Sequence, residues 1–169
     1  MENNLPKRKH PRLDNYDYSS CGAYFITICA HNREPILSEI VISNSSSLGY
    51  DVRLKPCGII AEEQLLALNK RYPFLTLDEY VIMPDHIHAI LIWDRDTAGA
   101  SPRPTVMDII CAYKSLTTRE CKKNGWKNQL FQTSFHDHVI RNRDDYNEIV
   151  KYIHENPMRW KFDHLYAGE

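Results

Sequence analysis

The order of apolar segments along this 169-residue chain predicts an α+β fold, a ferredoxin-like antiparallel sheet with helices packed on one side of it. Two observations carry this prediction. Residues 22–30, 75–83 and 86–93 are apolar and rich in aromatic or β-branched residues, as strands are. Stretches with helical periodicity lie between the first strand and the later pair, and again after that pair.

The first half of the chain predicts three strands and one helix. Residues 22–30 are typical of a strand buried on both faces, and residues 35–42 indicate a second strand. An Asn- and Ser-rich break at residues 44–49 separates it from a weaker strand near residues 52–54. A helix is expected from about Pro56 to Arg71, because apolar residues recur there at helical spacing and Pro73 follows.

The second half predicts two adjacent strands, a helix, a short strand and a last helix. Residues 75–83 and 86–93 are the strands, with Pro84 and Asp85 between them or acting as a bulge. Residues 94–104 have the composition of a surface loop, and Thr105 can cap the helix that follows. A strand near residues 135–140 then leads to a helix with acidic residues in its first turn and Pro157 near its end.

Length, charge and cysteine content restrict the class of protein. A chain of 169 residues is most simply one domain, expected to span residues 1–169. No segment is as long as a membrane span and the N-terminus has no hydrophobic segment behind its charges, so a cytoplasmic protein without membrane contact is expected. Five widely spaced cysteines argue against a disulfide framework and against a structural zinc site.

Basic residues cluster in two places although the formal net charge is only −1. One cluster lies in an N-terminal arm of about residues 1–20, and the other lies on the helix that follows Thr105. Local basic clusters can neutralise phosphates in a neutral protein, although solvated surface charge is the commoner role. The candidates for nucleic-acid contact are Lys7, Arg8, Arg12, Lys114 and Arg119.

The segment 81–93 contains a histidine pair with the spacing of a metal site. Side chains on a strand alternate between its faces, so His86 and His88 project together while Ile87 enters the core. Two imidazoles on one face can share one metal ion. A pair of partly buried, hydrogen-bonded histidines with no ligand is the structural alternative.

The last helix carries a tyrosine beside its apolar stripe. At about 100° per residue, Tyr146, Ile149 and Ile153 face the core, whereas Tyr152 and Asn156 lie on one flank of that stripe. These two residues are neighbours four positions apart. A flanking tyrosine of this kind can lean over the edge of a sheet, although an amphipathic surface tyrosine is the commoner case.

Together, these motifs resemble those of the single-tyrosine HUH transposases. The chain is most similar to the branch associated with repetitive extragenic palindromes. The resemblance is carried by His86-Ile87-His88 after residues 81–85, followed by Tyr152-Ile153-His154-Glu155-Asn156-Pro157 on a late helix. Residues 13–20, 22–27 and 138–142 also resemble that branch, so the similarity covers most of the chain.

The resemblance implies a metal-dependent endonuclease and strand-transferase that acts on single-stranded or hairpin DNA. His86, His88 and Asn156 would be the metal ligands, and Tyr152 would be the nucleophile that forms a 5′-phosphotyrosine. Nitrogen ligands suit Zn, Ni, Cu or Mn, whereas an amide oxygen and a phosphate suit Mg or Mn, so Mg²⁺ or Mn²⁺ is favoured. The shorter amide of Asn156, where related transposases often carry Gln, leaves direct and water-mediated coordination open. The resemblance also leaves a homodimer open.

Two alternatives accompany this hypothesis. A histidine-triad hydrolase would need a third alternating histidine, and position 90 is Ile90. A ferredoxin-like protein that binds DNA hairpins without cutting them is the stronger rival. A second His-x-His, at His136 and His138, is discounted because Asp137 stands where the first motif has a core isoleucine.

Overall fold

The computed structural model describes residues 21–43, 49–93 and 104–166, the last six by backbone alone. The expected basic arm at residues 1–20, with Lys7, Arg8 and Arg12, lies outside the described residues, as does most of the expected loop after residue 93. The elements of the described part are β1 (Gly22–Cys29), a 3₁₀ turn (His31–Arg33), β2 (Ser38–Ile42), β3 (Tyr50–Leu54), α1 (Pro56–Arg71), β4 (Leu75–Ile82), β5 (His86–Trp93), α2 (Val106–Lys123), β6 (His136–Ile140) and α3 (Arg143–Tyr166).

The main sheet confirms the predicted fold class. Its strand order is β4-β5-β1-β6 and every neighbouring pair is antiparallel. With α1 between β1 and β4, and α2 between β5 and β6, the chain follows the β-α-β-β-α-β order of a ferredoxin-like fold. The β2–β3 hairpin is an insertion between β1 and α1. None of the helices within the described ranges is long and apolar enough to cross a membrane.

The hydrophobic core lies between one face of this sheet and the helices α1 and α2. Tyr24, Ile26 and Ile28 of β1 point into it, and alternate residues of β5 join them from Ile87 onward. The buried Tyr113 of α2 donates its hydroxyl to the carbonyl of Ala61 at 3.0 Å, which ties α2 to α1. The prediction for α2 is confirmed at its start, where Thr105 caps the helix.

Helix α3 lies on the opposite face, so the prediction that all helices cover one side is wrong for this helix. Three hydrogen bonds fix it against the strands. The hydroxyl of Tyr146 donates to Asp78 at 2.6 Å, His154 Nε2 lies 2.9 Å from a carboxylate oxygen of Glu79, and Tyr50 donates to the carbonyl of His154 at 3.2 Å. Both faces of the sheet are therefore covered near its centre, and α3 has a defined position over β5.

Two local expectations also differ from the structure. Strand β1 is buried along its core face and at Cys29, whereas Phe25 and Thr27 on the face toward α3 are only half-buried. Pro157 lies inside α3 rather than near its end, and the helix continues to Tyr166. A proline removes one main-chain hydrogen bond of a helix, but Asn156 and Pro157 are buried, and that packing favours continuation of the helix.

Candidate active site

His86 and His88 form a buried pair on the sheet face that α3 covers. Their side chains are about 95% shielded from solvent, and their Nε2 atoms lie 3.0 Å apart. The pair sits on a central strand, where β1 and β4 flank β5 on both sides. The predicted projection of both imidazoles from one face is confirmed.

A buried carboxylate sets the proton position on His86. His86 Nδ1 lies 2.5 Å from Asp85 Oδ1, while Asp85 Oδ2 lies 2.7 Å from Arg33 Nε. An ionised carboxylate can only accept hydrogen bonds, so Nδ1 of His86 carries a hydrogen, and in the neutral imidazole Nε2 then keeps its lone pair. This carboxylate–histidine arrangement is the one that orients metal-binding imidazoles in proteins.

The turn that holds Asp85 is tied to the chain on both sides. The Asp85 carbonyl accepts from the Ala30 amide at 2.8 Å, and the Pro84 carbonyl accepts from the Leu37 amide at 2.9 Å. Helix α1 comes so close that a Cβ on Gly58 would lie only 1.9 Å from the Leu37 carbonyl oxygen, which makes glycine necessary there. The start of β5, and with it His86, is therefore held by main-chain contacts as well as by the side-chain contact between His86 and Asp85.

Arg33 reaches Asp85 from a strained turn. Asn32 and Arg33 have φ angles of 53° and 58°, in the left-handed region that costs most residues about 1–2 kcal/mol. The guanidinium donates to Cys29 Sγ at 2.9 Å as well as to Asp85, and its side chain stays 47% exposed. Strained non-glycine residues cluster at functional sites, and here the strain positions a cation behind the histidine pair.

His88 is held as a neutral imidazole. Its Nδ1 lies 2.9 Å from the hydroxyl of Thr27 on β1. Burial, together with the neighbouring His86 and Arg33, lowers the pKa of His88 from 6.5 to about 3. A neutral imidazole keeps a lone pair for a ligand, which is the form that binds metals.

Helix α3 places three residues along the histidine pair at intervals of one turn. The Tyr152 ring centre lies 5.2 Å from that of His88, and the Trp160 ring centre lies 6.1 Å from that of His86. Asn156 is buried halfway between Tyr152 and Trp160 on the same flank of the helix. The predicted convergence of a mid-chain histidine pair with a late tyrosine therefore occurs within one chain.

The Tyr152 ring is packed but accessible. It is 38% exposed, lies edge-on to Phe25 with 6.1 Å between ring centres, and has the Arg159 guanidinium carbon 6.0 Å from its ring centre. A tyrosine whose role was packing alone would be expected in the buried stripe of α3, where Ile153 lies. The exposed flank leaves space for a substrate beside the phenol.

The donor set fits a divalent metal ion. A first-row divalent ion binds imidazole nitrogen at about 2.0–2.1 Å, so two nitrogens 3.0 Å apart can share one ion. Within the described ranges no group of three His, Cys, Asp or Glu side chains could hold a metal. Asn156 is a buried amide on the flank of α3 that carries Tyr152 and Trp160, so its oxygen could supply a third ligand.

The second histidine motif does not join this pair. His136 is exposed on β6 and is separated from His88 by Thr27 of the intervening strand β1 in the sheet register. His138 lies 3.0 Å from a carboxylate oxygen of Asp145 in the first turn of α3. This contact lowers the pKa of Asp145 and attaches β6 to α3.

The basic residues predicted on α2 lie on the far side of the sheet from the histidine pair. Lys114 donates to the carbonyls of Gln132 and Thr133 at 2.6 and 2.8 Å and to that of Ser134 at 3.4 Å, which uses all three of its donors. Arg119 is exposed and lines a groove of about 760 Å³. Lys114 therefore supports the chain around residues 132–134, whereas Arg119 is exposed and pairs with Glu120 at 3.5 Å.

Sequence reasoning missed the groups that surround the histidines. Asp85 was interpreted only as part of a connection, while Thr27, Arg33 and Trp160 were not singled out. Trp160 had a usable signal, because it continues the four-residue spacing of Tyr152 and Asn156. Arg33 had none, since its contact depends on a left-handed turn between two non-adjacent strands.

Comparisons with known proteins confirm the resemblance. No family model matches the chain. An uncharacterised protein of Haemophilus influenzae is 29% identical over 95% of this chain and 93% of its own length. The REP-associated tyrosine transposase of Escherichia coli is 25% identical over 84% of this chain and 70% of its own length. Among solved structures, a REP-associated tyrosine transposase bound to a REP hairpin has the same fold, with a TM-score of 0.58 and 20% identity over 88% of this chain and 74% of that chain.

Proposed function

We propose that this chain is a metal-dependent endonuclease and strand-transferase for single-stranded DNA that carries a hairpin. One observation carries the proposal: the Tyr152 ring lies 5.2 Å from the ring of His88, next to two buried imidazole nitrogens only 3.0 Å apart. A nucleophile beside a pair of metal-type ligands is an arrangement that can cleave a phosphodiester. The sequence relationship to a REP-associated tyrosine transposase supports the same function.

His86, His88 and Asn156 would hold the ion, with Mg²⁺ or Mn²⁺ as the metal that best suits an amide oxygen and a phosphate. When bound, a divalent ion would offset the negative charge of the phosphate, which otherwise repels a nucleophile. Asp85 and Thr27 would orient the two imidazoles through their Nδ1 atoms.

Tyr152 would act as the nucleophile. Its phenol oxygen forms a bond to phosphorus, the bond from phosphorus to the 3′-oxygen breaks, and the phenol proton is lost to solvent while the departing 3′-oxygen gains one. The products are a 5′-phosphotyrosine and a free 3′-hydroxyl. Attack by a 3′-hydroxyl on the phosphotyrosine reverses this exchange and joins a strand without an external energy source.

DNA recognition would combine phosphate contacts and base stacking. The structural neighbour is bound to a REP hairpin, which supports a hairpin as the partner of this chain. Arg119 is the exposed candidate on α2, and the arm residues Lys7, Arg8 and Arg12 are candidates from sequence alone.

The test is the formation of a covalent protein–DNA adduct. Wild-type protein is incubated with Mn²⁺ and single-stranded hairpin DNA, and the adduct is detected by denaturing electrophoresis. Tyr152→Phe should form no adduct and should still bind the DNA. Tyr72→Phe is the matched control, because Tyr72 follows α1 and its ring packs on Phe74 rather than on the histidine pair.

Two results would contradict the proposal. Adduct formation that survives Tyr152→Phe would reject the nucleophile. Hairpin binding by the wild-type protein without an adduct in any divalent ion would identify the rival, a hairpin-binding protein that does not cut.

A further inference from the structure

A cleft of about 500 Å³ opens beside the histidine pair, at the end of β5 where His86 lies. We call it the Trp160 cleft; its polar and aromatic lining consists of Arg33, Ser38, Glu39, Lys55, Asp85 and Trp160. We propose that the Trp160 cleft binds the nucleotide whose 3′-oxygen leaves when Tyr152 attacks. This inference rests on the proposed function and adds the direction in which the DNA strand runs across the site.

The direction follows from the order of residues along α3. Tyr152 lies beside His88 and Trp160 lies beside His86, so the nucleophile and the Trp160 cleft stand at opposite ends of the histidine pair. Displacement at phosphorus is in line, which means that the leaving oxygen departs on the side opposite the nucleophile. A phosphate bound at the histidines and attacked from the Tyr152 end must therefore release its 3′-oxygen toward the Trp160 cleft.

The chemistry of the Trp160 cleft suits an unpaired nucleotide. Trp160 is half-buried and contributes an aromatic ring, on which any of the four bases can stack. The side chain of Arg33 is 47% exposed. Lys55 donates one of its three hydrogens to the Pro35 carbonyl at 2.6 Å. Both cations can therefore also contact a phosphate.

Two other polar groups of the Trp160 cleft already have partners within the protein. Ser38 donates to the Ile82 carbonyl at 2.8 Å, and Glu39 accepts from Arg53 at 3.3 Å. The volume is within the range of small-molecule pockets, about 300–1,000 Å³. It accommodates a base and its sugar.

The experiment locates the scissile bond first and then removes single bases around it. The probe is a pool of synthetic DNA hairpins with a randomised single-stranded flank, incubated with Mn²⁺ and the wild-type protein. Sequencing the DNA attached to Tyr152 identifies the cleaved phosphate. One cleaved sequence is then remade with an abasic residue on either side of that phosphate.

Loss of the base on the leaving side should slow adduct formation by wild-type protein about 5-fold to 150-fold, the usual effect of one base stacked on an aromatic ring. Trp160→Ala should form the adduct slowly even with the intact strand, and the abasic residue should not slow it further. Trp160→Phe should keep most of the wild-type response, because it keeps a ring. An equal abasic effect in wild type and Trp160→Ala, or an effect only on the side joined to Tyr152, would overturn the inference and leave the proposed function standing.

If no DNA becomes attached to the protein, the proposed function fails. Tryptophan fluorescence then tests whether the Trp160 cleft binds a base. If the same single strands quench the tryptophan fluorescence of the wild type but not that of Trp160→Phe, base binding in the Trp160 cleft is supported. Quenching that is equal in both proteins, or absent from both, would overturn it.

Discussion

Replacing Asp85 by Asn is expected to weaken Mn²⁺ binding by about 10-fold to 100-fold, the usual effect of losing a group that orients a metal ligand. The side chain keeps its shape and loses one acceptor. In the wild type, one carboxylate oxygen accepts from His86 Nδ1 at 2.5 Å and the other accepts from Arg33 Nε at 2.7 Å. An amide has a single oxygen and can serve only one of these two donors.

The substitution is expected to change the tautomer of His86. If the amide oxygen stays with Arg33, the NH₂ group faces His86 Nδ1, which must then be unprotonated. The hydrogen moves to Nε2, the atom that lies 3.0 Å from His88 Nε2 and would bind the ion. The lost affinity corresponds to about 1.4–2.8 kcal/mol.

Calorimetric titration of metal-free protein with Mn²⁺ measures this loss. Glu39→Gln is the matched control, because it also removes one negative charge from the lining of the Trp160 cleft, but Glu39 pairs with Arg53 and not with a histidine. Equal affinities for Asp85→Asn and the wild type, or equal losses in Asp85→Asn and Glu39→Gln, would refute the tautomer argument.

Two further predictions concern stability. Lys114→Met should lower the free energy of unfolding by about 2–3 kcal/mol, because a cation bound to backbone carbonyls is lost. Lys122→Met, at an exposed position, should change that free energy by less than about 0.5 kcal/mol. Equal urea midpoints for the two variants would contradict this prediction. The pKa of His88 in the fold, about 3, lies below its ordinary 6.5, so the unfolded chain takes up a proton first as the pH falls. Metal-free protein should therefore lose up to about 1.4 kcal/mol of stability per pH unit between these values, and His88→Gln should lack this component. Parallel pH profiles of the free energy of unfolding for the wild type and His88→Gln would contradict this prediction.

The secondary structure and the facing of the site residues were predictable because they depend on local periodicity. A period of two placed His86 and His88 on one face of a strand, and a period of 3.6 placed Tyr152 and Asn156 on one flank of a helix. Helix α1 was expected from about Pro56 to Arg71 and has those bounds. The β-α-β-β-α-β order likewise follows from the succession of elements along the chain.

Several features of the site could not be predicted because they depend on packing between distant segments. Local periodicity does not say which face of the sheet α3 covers, and the three hydrogen bonds that place it there join residues 68, 75 and 104 positions apart. The role of Lys114 is similar, since its acceptors lie on a segment with no regular periodicity.

The amino-acid sequence by itself determined the strands, the helices and the identity of the candidate ligands and nucleophile, because main-chain geometry repeats every few residues. Only the tertiary structure decided that Arg33 and Asp85 stand behind His86, and that Tyr152 and Trp160 stand at opposite ends of the histidine pair. These contacts depend on how side chains fill the space between elements, and that space exists only once the sheet and α3 have packed together.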